Sequence, residues 1–132
     1  MLNQTQSDTI GKIAEALSKA QGKFKIAVKN KQNPHFRSSY ASYESIREAC
    51  QDALSNEGIA ITHQMMISDG KRLMLTQLTH VSGEWLRSYL ALPADKETPQ
   101  GIGSALTYGM RYSLSSMLCI PSGDSDDDGE KA

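Results

Sequence analysis

Apolar residues recur along this 132-residue chain with two different periods. Ile10, Ile13, Ala14, Leu17 and Ala20 follow the three- and four-residue spacing of a helix buried on one side. Ser7 or Asp8 is placed to cap that helix, and either Gly22 or a point nearer Val28 ends it. The same spacing returns in Ile46, Ala49, Cys50, Ala53 and Leu54 behind a capping Ser42. Asn56 to Gly58 supplies the stop, Gly58 suiting the left-handed position after a helix. From residue 59 the period falls to two. Ile59, Ile61, Met65 and Ile67 alternate with Ala60, Thr62 and Gln64, and Asp69-Gly70 is a strong hairpin signal. The returning segment, Arg72 to Val81, has a blurred alternation because Leu73, Met74, Leu75 and Leu78 are all apolar, as in a central strand partly covered on both faces. After Ser82-Gly83, residues 84–92 put Leu86, Leu90 and Leu92 on one side and Trp85, Arg87 and Tyr89 on the other. Three such strands form an antiparallel meander.

The last periodic stretch, Thr98 to Leu118, is the longest. Ile102, Ala105, Leu106, Met110, Leu114, Met117 and Leu118 form a helical stripe, with a Thr98 hydroxyl cap and Pro99 in the first helical position. Tyr108, Arg111 and Tyr112 lie off the stripe at three- and four-residue spacing, so two rings and a cation share one patch. Gly101, Gly103 and Gly109 each cost about 0.5–1 kcal/mol relative to Ala in a helix interior, which points to a steric use: close approach of another backbone or a phosphate. The pattern predicts an α+β fold, a three-stranded antiparallel meander with helices packed mainly on one face.

Charge changes this picture. The formal net charge is -1, but five acids and one lysine lie after position 123. The preceding residues hold 10 acids against 13 bases, so a basic body carries an acidic end. Residues 1–122 read as one core domain and 123–132 as a flexible acidic tail. Between Lys23 and Tyr43 there is no acid; the stretch holds Lys23, Lys25, Lys29, Lys31 and Arg37, with His35, and Phe36, Tyr40 and Tyr43 interleaved, and Asn33-Pro34 marks a loop or turn. Basic groups neutralise phosphates and aromatic faces stack on unpaired bases, which is the composition a single-strand binder needs. A solvated basic loop anchored by its aromatics is the alternative.

Other chemistry finds little support. Cys50 and Cys119 lack metal or redox spacing and read as two buried thiols. His35, His63 and His80 are not at metal-ligand spacing, although His63 and His80 on adjacent strands could face each other. Gly101-x-Gly103 lacks the third glycine of a dinucleotide loop, Leu106 standing in its place. DSDDDG matches the first half of a calcium loop without the acidic ligand required at the twelfth position. No signal peptide, membrane-length apolar run or catalytic centre is expected.

GIGSALTYGMRYSLSSMLCI, with its Gly-x-Gly-Ser start, Thr-Tyr pair and Arg-Tyr pair, is similar to the signature segment of the Erf family, the phage "essential recombination function" single-strand annealing proteins. KNKQNPHFRSSYASYESI, the THVSGEW turn and the DSDDDG run extend the likeness in the family's order. Family members often continue past the acidic run, where this sequence stops. The resemblance implies a single-strand annealing core that binds single-stranded DNA and pairs complementary strands without ATP, cofactor or bond chemistry. It also implies a homo-oligomeric ring or filament in the cytoplasm of a bacterial host. A host or phage single-strand-binding protein and a partner exonuclease are further candidate partners. On that reading Lys25, Lys29, Lys31, Arg37 and Arg111 contact phosphates, while Phe36, Tyr40, Tyr108 and Tyr112 stack or line the groove. A general single-stranded DNA- or RNA-binding module that protects strands without annealing them is the alternative. A nuclease built on the acidic run is a third reading.

Overall fold

The structure is a computed structural model that describes residues 4–34, 38–94 and 96–123. Its elements are α1 (Gly11–Gln21), β1 (Lys31–Asn33), β2 (Ser38–Tyr40), α2 (Tyr43–Asn56), β3 (Ile59–Ser68), β4 (Lys71–His80), β5 (Trp85–Ala91) and α3 (Pro99–Leu118). The α+β meander is present: β3, β4 and β5 pair antiparallel in chain order. The register sets Ile61 beside Leu78 and Leu78 beside Leu86, with Met65, Met74 and Leu90 as another row on the same face. That face is covered by helices. Ile13 of α1, Ile46 and Leu54 of α2, and Leu114 and Leu118 of α3 are fully buried with Leu78 in one core. On the opposite face the described helices provide no such cluster. Leu73 and Leu75 of β4 point there and are half-buried, so β4 is central and partly covered on both faces, as its blurred alternation predicts, with no described helix over the second face.

Two helix starts follow the local chemistry. The Ser42 hydroxyl accepts from the Ser45 N–H at 3.2 Å, and the Thr98 hydroxyl accepts from the Gly101 N–H at 3.0 Å. The first helix does not. Ser7 is used at the sheet: its N–H donates to the Trp85 carbonyl at 3.0 Å and its hydroxyl accepts from the Trp85 N–H at 2.9 Å. Asp8 makes no described cap; instead Glu84, in the β4–β5 turn, accepts from the N–H groups of Lys12 (2.8 Å) and Ile13 (2.9 Å) and from the Thr9 hydroxyl (2.7 Å). A remote carboxylate satisfies the orphan donors and lies at the positive end of the helix dipole. The segment before α1 thereby adds to the outer edge of β5, with Gln6 bridged to Leu86 and the Arg87 N–H donating to the Thr5 carbonyl.

The α3 stripe is only half core. Leu114 and Leu118 are buried, whereas Ile102, Ala105, Leu106 and Met110 stay half-buried, because the N-terminal half of the helix lies over the sheet. Gly109 makes that crossing possible. A Cβ there would lie 2.6 Å from Leu92 Cδ2 and 3.2 Å from Met74 Sδ, both buried side chains. The expected pair of buried thiols is corrected: Cys50 is buried, which pushes its thiol pKa up to about 11, but Cys119 is exposed. Cys119 takes the left-handed position (φ 58°) that ends α3, while the Ile120 N–H returns to the Ser115 carbonyl. His63 and His80 also do not face each other: His63 lies opposite Thr76, and His80 opposite Ile59. The acidic residues after Gly123 lie outside the described residues.

Two outcomes follow from this packing. Gly109→Ala gains helix propensity of about 1 kcal/mol but overpacks the sheet crossing, a cost of about 1–3 kcal/mol, so thermal unfolding should shift down; Gly103→Ala, with nothing within 4 Å of the added Cβ, should shift it up. Glu84 is held below its ordinary value of 4.5, chiefly by the Ile13 N–H and then by the Thr9 hydroxyl. A depressed carboxyl stabilises the fold above its unfolded pKa and loses that contribution as pH falls through its folded pKa. Glu84→Gln should therefore lower the melting temperature at neutral pH, with the difference from the parent shrinking in acid.

Candidate nucleic-acid interface

Part of the acid-free stretch is folded. Lys31–Asn33 and Ser38–Tyr40 pair as a short antiparallel hairpin with Lys31 opposite Tyr40 and Asn33 opposite Ser38. Partners across an antiparallel pair project to the same side, so the Lys31 ammonium and the Tyr40 ring share a face. Chain on both sides anchors the hairpin: the Ala41 N–H donates to the Ser122 carbonyl at 2.9 Å, and the Ser42 N–H to Asn30 Oδ1 at 3.0 Å. Gly123 fits against Ser39 and Lys29. A Cβ there would lie 2.7 Å from the Ser39 carbonyl oxygen and 3.2 Å from Lys29 Cε, and its φ of +95° is itself suited to glycine.

This anchoring sets β2 against the outer side of α3. The Arg111 guanidinium carbon lies 4.7 Å from the Tyr40 ring centroid and 4.8 Å from that of Tyr112. Both distances are within the range of cation–π attraction. Tyr108, one turn before Tyr112, has its ring centroid 4.3 Å from that of Tyr112 at an interplanar angle of 40°, and is 54% exposed. An open hollow of about 830 Å³ adjoins the cluster, lined by Tyr40, Gly103, Ser104, Thr107, Tyr108 and Arg111 among others. Its wall is an arginine, hydroxyls, ring edges and a glycine with free space above its Cα. No acid lines it. This suits an anion with flat groups attached better than an apolar ligand.

Four of the expected site residues, Tyr40, Tyr108, Arg111 and Tyr112, are therefore brought together, with Lys31 beside them on the hairpin. Lys29 lies next to the strand that carries Tyr40, against Gly123. Lys25 is placed apart. Its N–H is held by the Ala49 carbonyl, and it lines a different hollow with Glu48 and Asp52. Phe36 and Arg37 lie outside the described residues. The hollow also includes Gln100 and Thr107, neither of which was among the expected site residues. Thr107 was legible as a helical neighbour of Gly103, to whose carbonyl its hydroxyl donates at 3.2 Å; Gln100 carried no signal.

A second arginine–aromatic arrangement occupies the open sheet face. The Arg87 guanidinium carbon sits 4.0 Å from the Trp85 ring centroid, Nε donates to Gln77 at 2.8 Å, and Nη1 donates to the Tyr89 hydroxyl at 3.2 Å. Tyr89 in turn donates to the Gln4 carbonyl at 2.9 Å. This group ties the N-terminal segment to the sheet. On the helix side, His63 lies between the Tyr43 hydroxyl (2.7 Å) and the Thr76 hydroxyl (2.8 Å). Burial, aided by the nearby Arg47 charge, lowers its pKa, and its two hydroxyl partners link α2 to the sheet. Among the described residues no group of three or more His, Cys, Asp or Glu is placed to hold a metal, and no helix is long and apolar enough to cross a membrane.

No curated protein and no solved structure matches the chain. The family model described as the ERF superfamily matches residues 13–132, almost its whole length, and with it the motif series from the basic stretch to the acidic run. The chain belongs to the ERF superfamily.

Proposed function

We propose that the protein binds single-stranded DNA through the Tyr40–Arg111 cluster and promotes pairing of complementary strands, with no nucleotide hydrolysis and no bond broken or made. Membership of the ERF superfamily supports the recombination role. The observation that carries the site is the position of Arg111 between the rings of Tyr40 and Tyr112. Two ring contacts limit where the guanidinium can go, and its planar fork of N–H donors matches the geometry of a phosphate. The more exposed Tyr108 ring offers a face to a base, and Lys31 adds a second positive charge on the same side of the hairpin. Gly103 lets the backbone of the strand approach α3 without meeting a side chain. Contacts to phosphate and to one ring face leave the base edges available to a complementary strand, which is the requirement for annealing as distinct from storage. Copies joined in a homo-oligomer would make the groove continuous and binding cooperative.

The reading gives a graded set of outcomes. Arg111→Ala and Tyr108→Ala should each weaken single-stranded DNA binding by about 1–3 kcal/mol, the usual worth of one stacking platform. Tyr108→Ala should leave the melting temperature nearly unchanged because the ring is more than half exposed. Lys31→Ala should reduce the steepness of the salt dependence, which has a log–log slope of about −0.7 per phosphate contacted. Annealing of complementary oligonucleotides, followed by fluorescence transfer, should fall in parallel. Binding lost with annealing absent even in the parent protein would identify a protective single-strand binder. Parent-level binding and annealing in both Arg111→Ala and Tyr108→Ala would remove the site from this cluster.

A further inference from the structure

The two edges of the main sheet are treated differently. The outer edge of β5 is covered by the chain's own residues 5–7, but the outer edge of β3 pairs with no described strand. Solitary edges in natural proteins are commonly blunted by lysine, proline or a bulge, because unpaired N–H and C=O groups recruit other strands. β3 has none of these devices. Its ten residues, IAITHQMMIS, contain no charged side chain and no proline, and they pair with β4 in unbroken register from Ile59 to Ser68. Its last third also exposes apolar side chains on the helix side, Met65 at 46% and Ile67 at 70%.

A matching segment exists elsewhere on the same chain. Residues 25–30, KIAVKN, lie outside every helix and strand. Ile26 is 92% exposed and Val28 66%, while Ala27 between them is buried. That out–in–out alternation is the period of an extended strand showing one apolar side to solvent. The exposed Lys25 and Lys29 flank Ile26 and Val28, and the exposed Asp69 directly follows the end of β3.

We propose that the free edge of β3 takes up residues 25–30 of a second copy of this chain as an added strand. The two surfaces are different, so the contact is heterologous, and repeating it generates a closed ring or a helical filament. Residues 25–30 lead directly into Lys31, so each junction carries a neighbour's basic hairpin to the side of the next sheet. The proposal rests on the reading of the protein as a multimeric strand binder only for its purpose; the contact itself is tested without DNA.

The test uses the full chain with exposed Cys119 replaced by serine. In that background Ile26→Cys/Ile67→Cys is treated with a short bismaleimide and run under denaturing conditions, with Val28→Cys/Met65→Cys as a second pair. A ladder of trimers and higher species is expected from either double variant, dimers only from a mixture of the two matching single variants, and no species above background from a single variant alone. Ile67→Lys should reduce the native mass of the assembly while keeping the circular dichroism spectrum, and should still bind a short oligonucleotide through the Tyr40–Arg111 cluster. Efficient cross-linking of Ile67→Cys alone would show a symmetric β3–β3 contact and overturn the proposal. So would a strictly monomeric parent, or a parent assembly whose double variants give no ladder. A ladder from a protein that does not anneal DNA would keep this contact and defeat the functional reading instead.

Discussion

Much else in the molecule depends on the crossing of α3 over the sheet at Gly109. Leu92 and Met74 occupy the space that any side chain at this position would need, so the helix lies directly on β4 and the exit of β5. Beyond the crossing, Leu114 and Leu118 complete the core with α1 and α2, and the Gln21 side-chain amide donates to the Leu118 carbonyl at 3.3 Å. The helix is therefore fixed at both ends of its buried face. Its opposite face follows by geometry: residues 108, 111 and 112 are turned toward β2. The helix–sheet crossing and the position of the candidate site are one packing decision.

The hairpin is the other half of the site, and it is too short to stand alone. Two strands of three residues bury little, and an isolated hairpin of that size is not stable in water. It is held by the chain that enters and leaves it, through Asn30, Ala41 and the Ser122–Gly123 segment, and by the Tyr40 ring against Arg111. The cation–π contact thus joins two separately anchored elements. Arg111 has a structural part as well as its proposed binding part, and melting must be measured beside affinity when it is replaced.

Much of the fold was legible because its signals are local. Ser42 and Thr98 cap the helices that follow them, Asp69-Gly70 turns the first hairpin of the meander, and the period-two runs from 59 to 92 become strands. The failures have a common physical origin in contacts between residues distant in sequence. Glu84 caps α1 from more than 70 residues away, which frees Ser7 to bond the edge of β5. Charge composition in the 23–43 stretch suggested a phosphate partner but not that part of it would fold into a hairpin, because pairing there depends on anchors as far along as Ser122. Cys119 sits between two buried apolar neighbours, yet the left-handed cap turns it outward. For the site, helical spacing brought Tyr108, Arg111 and Tyr112 together in advance. The addition of Tyr40 and the separation of Lys25 depended on tertiary structure.

Besides the Arg47–Tyr43 contact, two clusters among the described residues combine arginine with aromatic rings, and they lie on opposite sides of the sheet. The proposed single-stranded DNA site is on the helix side, at Tyr40, Tyr108, Arg111 and Tyr112, whereas Trp85, Arg87 and Tyr89 hold the N-terminal segment. Photo-cross-linking of the full chain to an oligonucleotide carrying iododeoxyuridine, with the modified peptides located by mass spectrometry, separates the two directly. Cross-links concentrated on Tyr108 and Tyr40 are the predicted result. Cross-links confined to Trp85 and Tyr89 would contradict it and move the strand to the open face of the sheet.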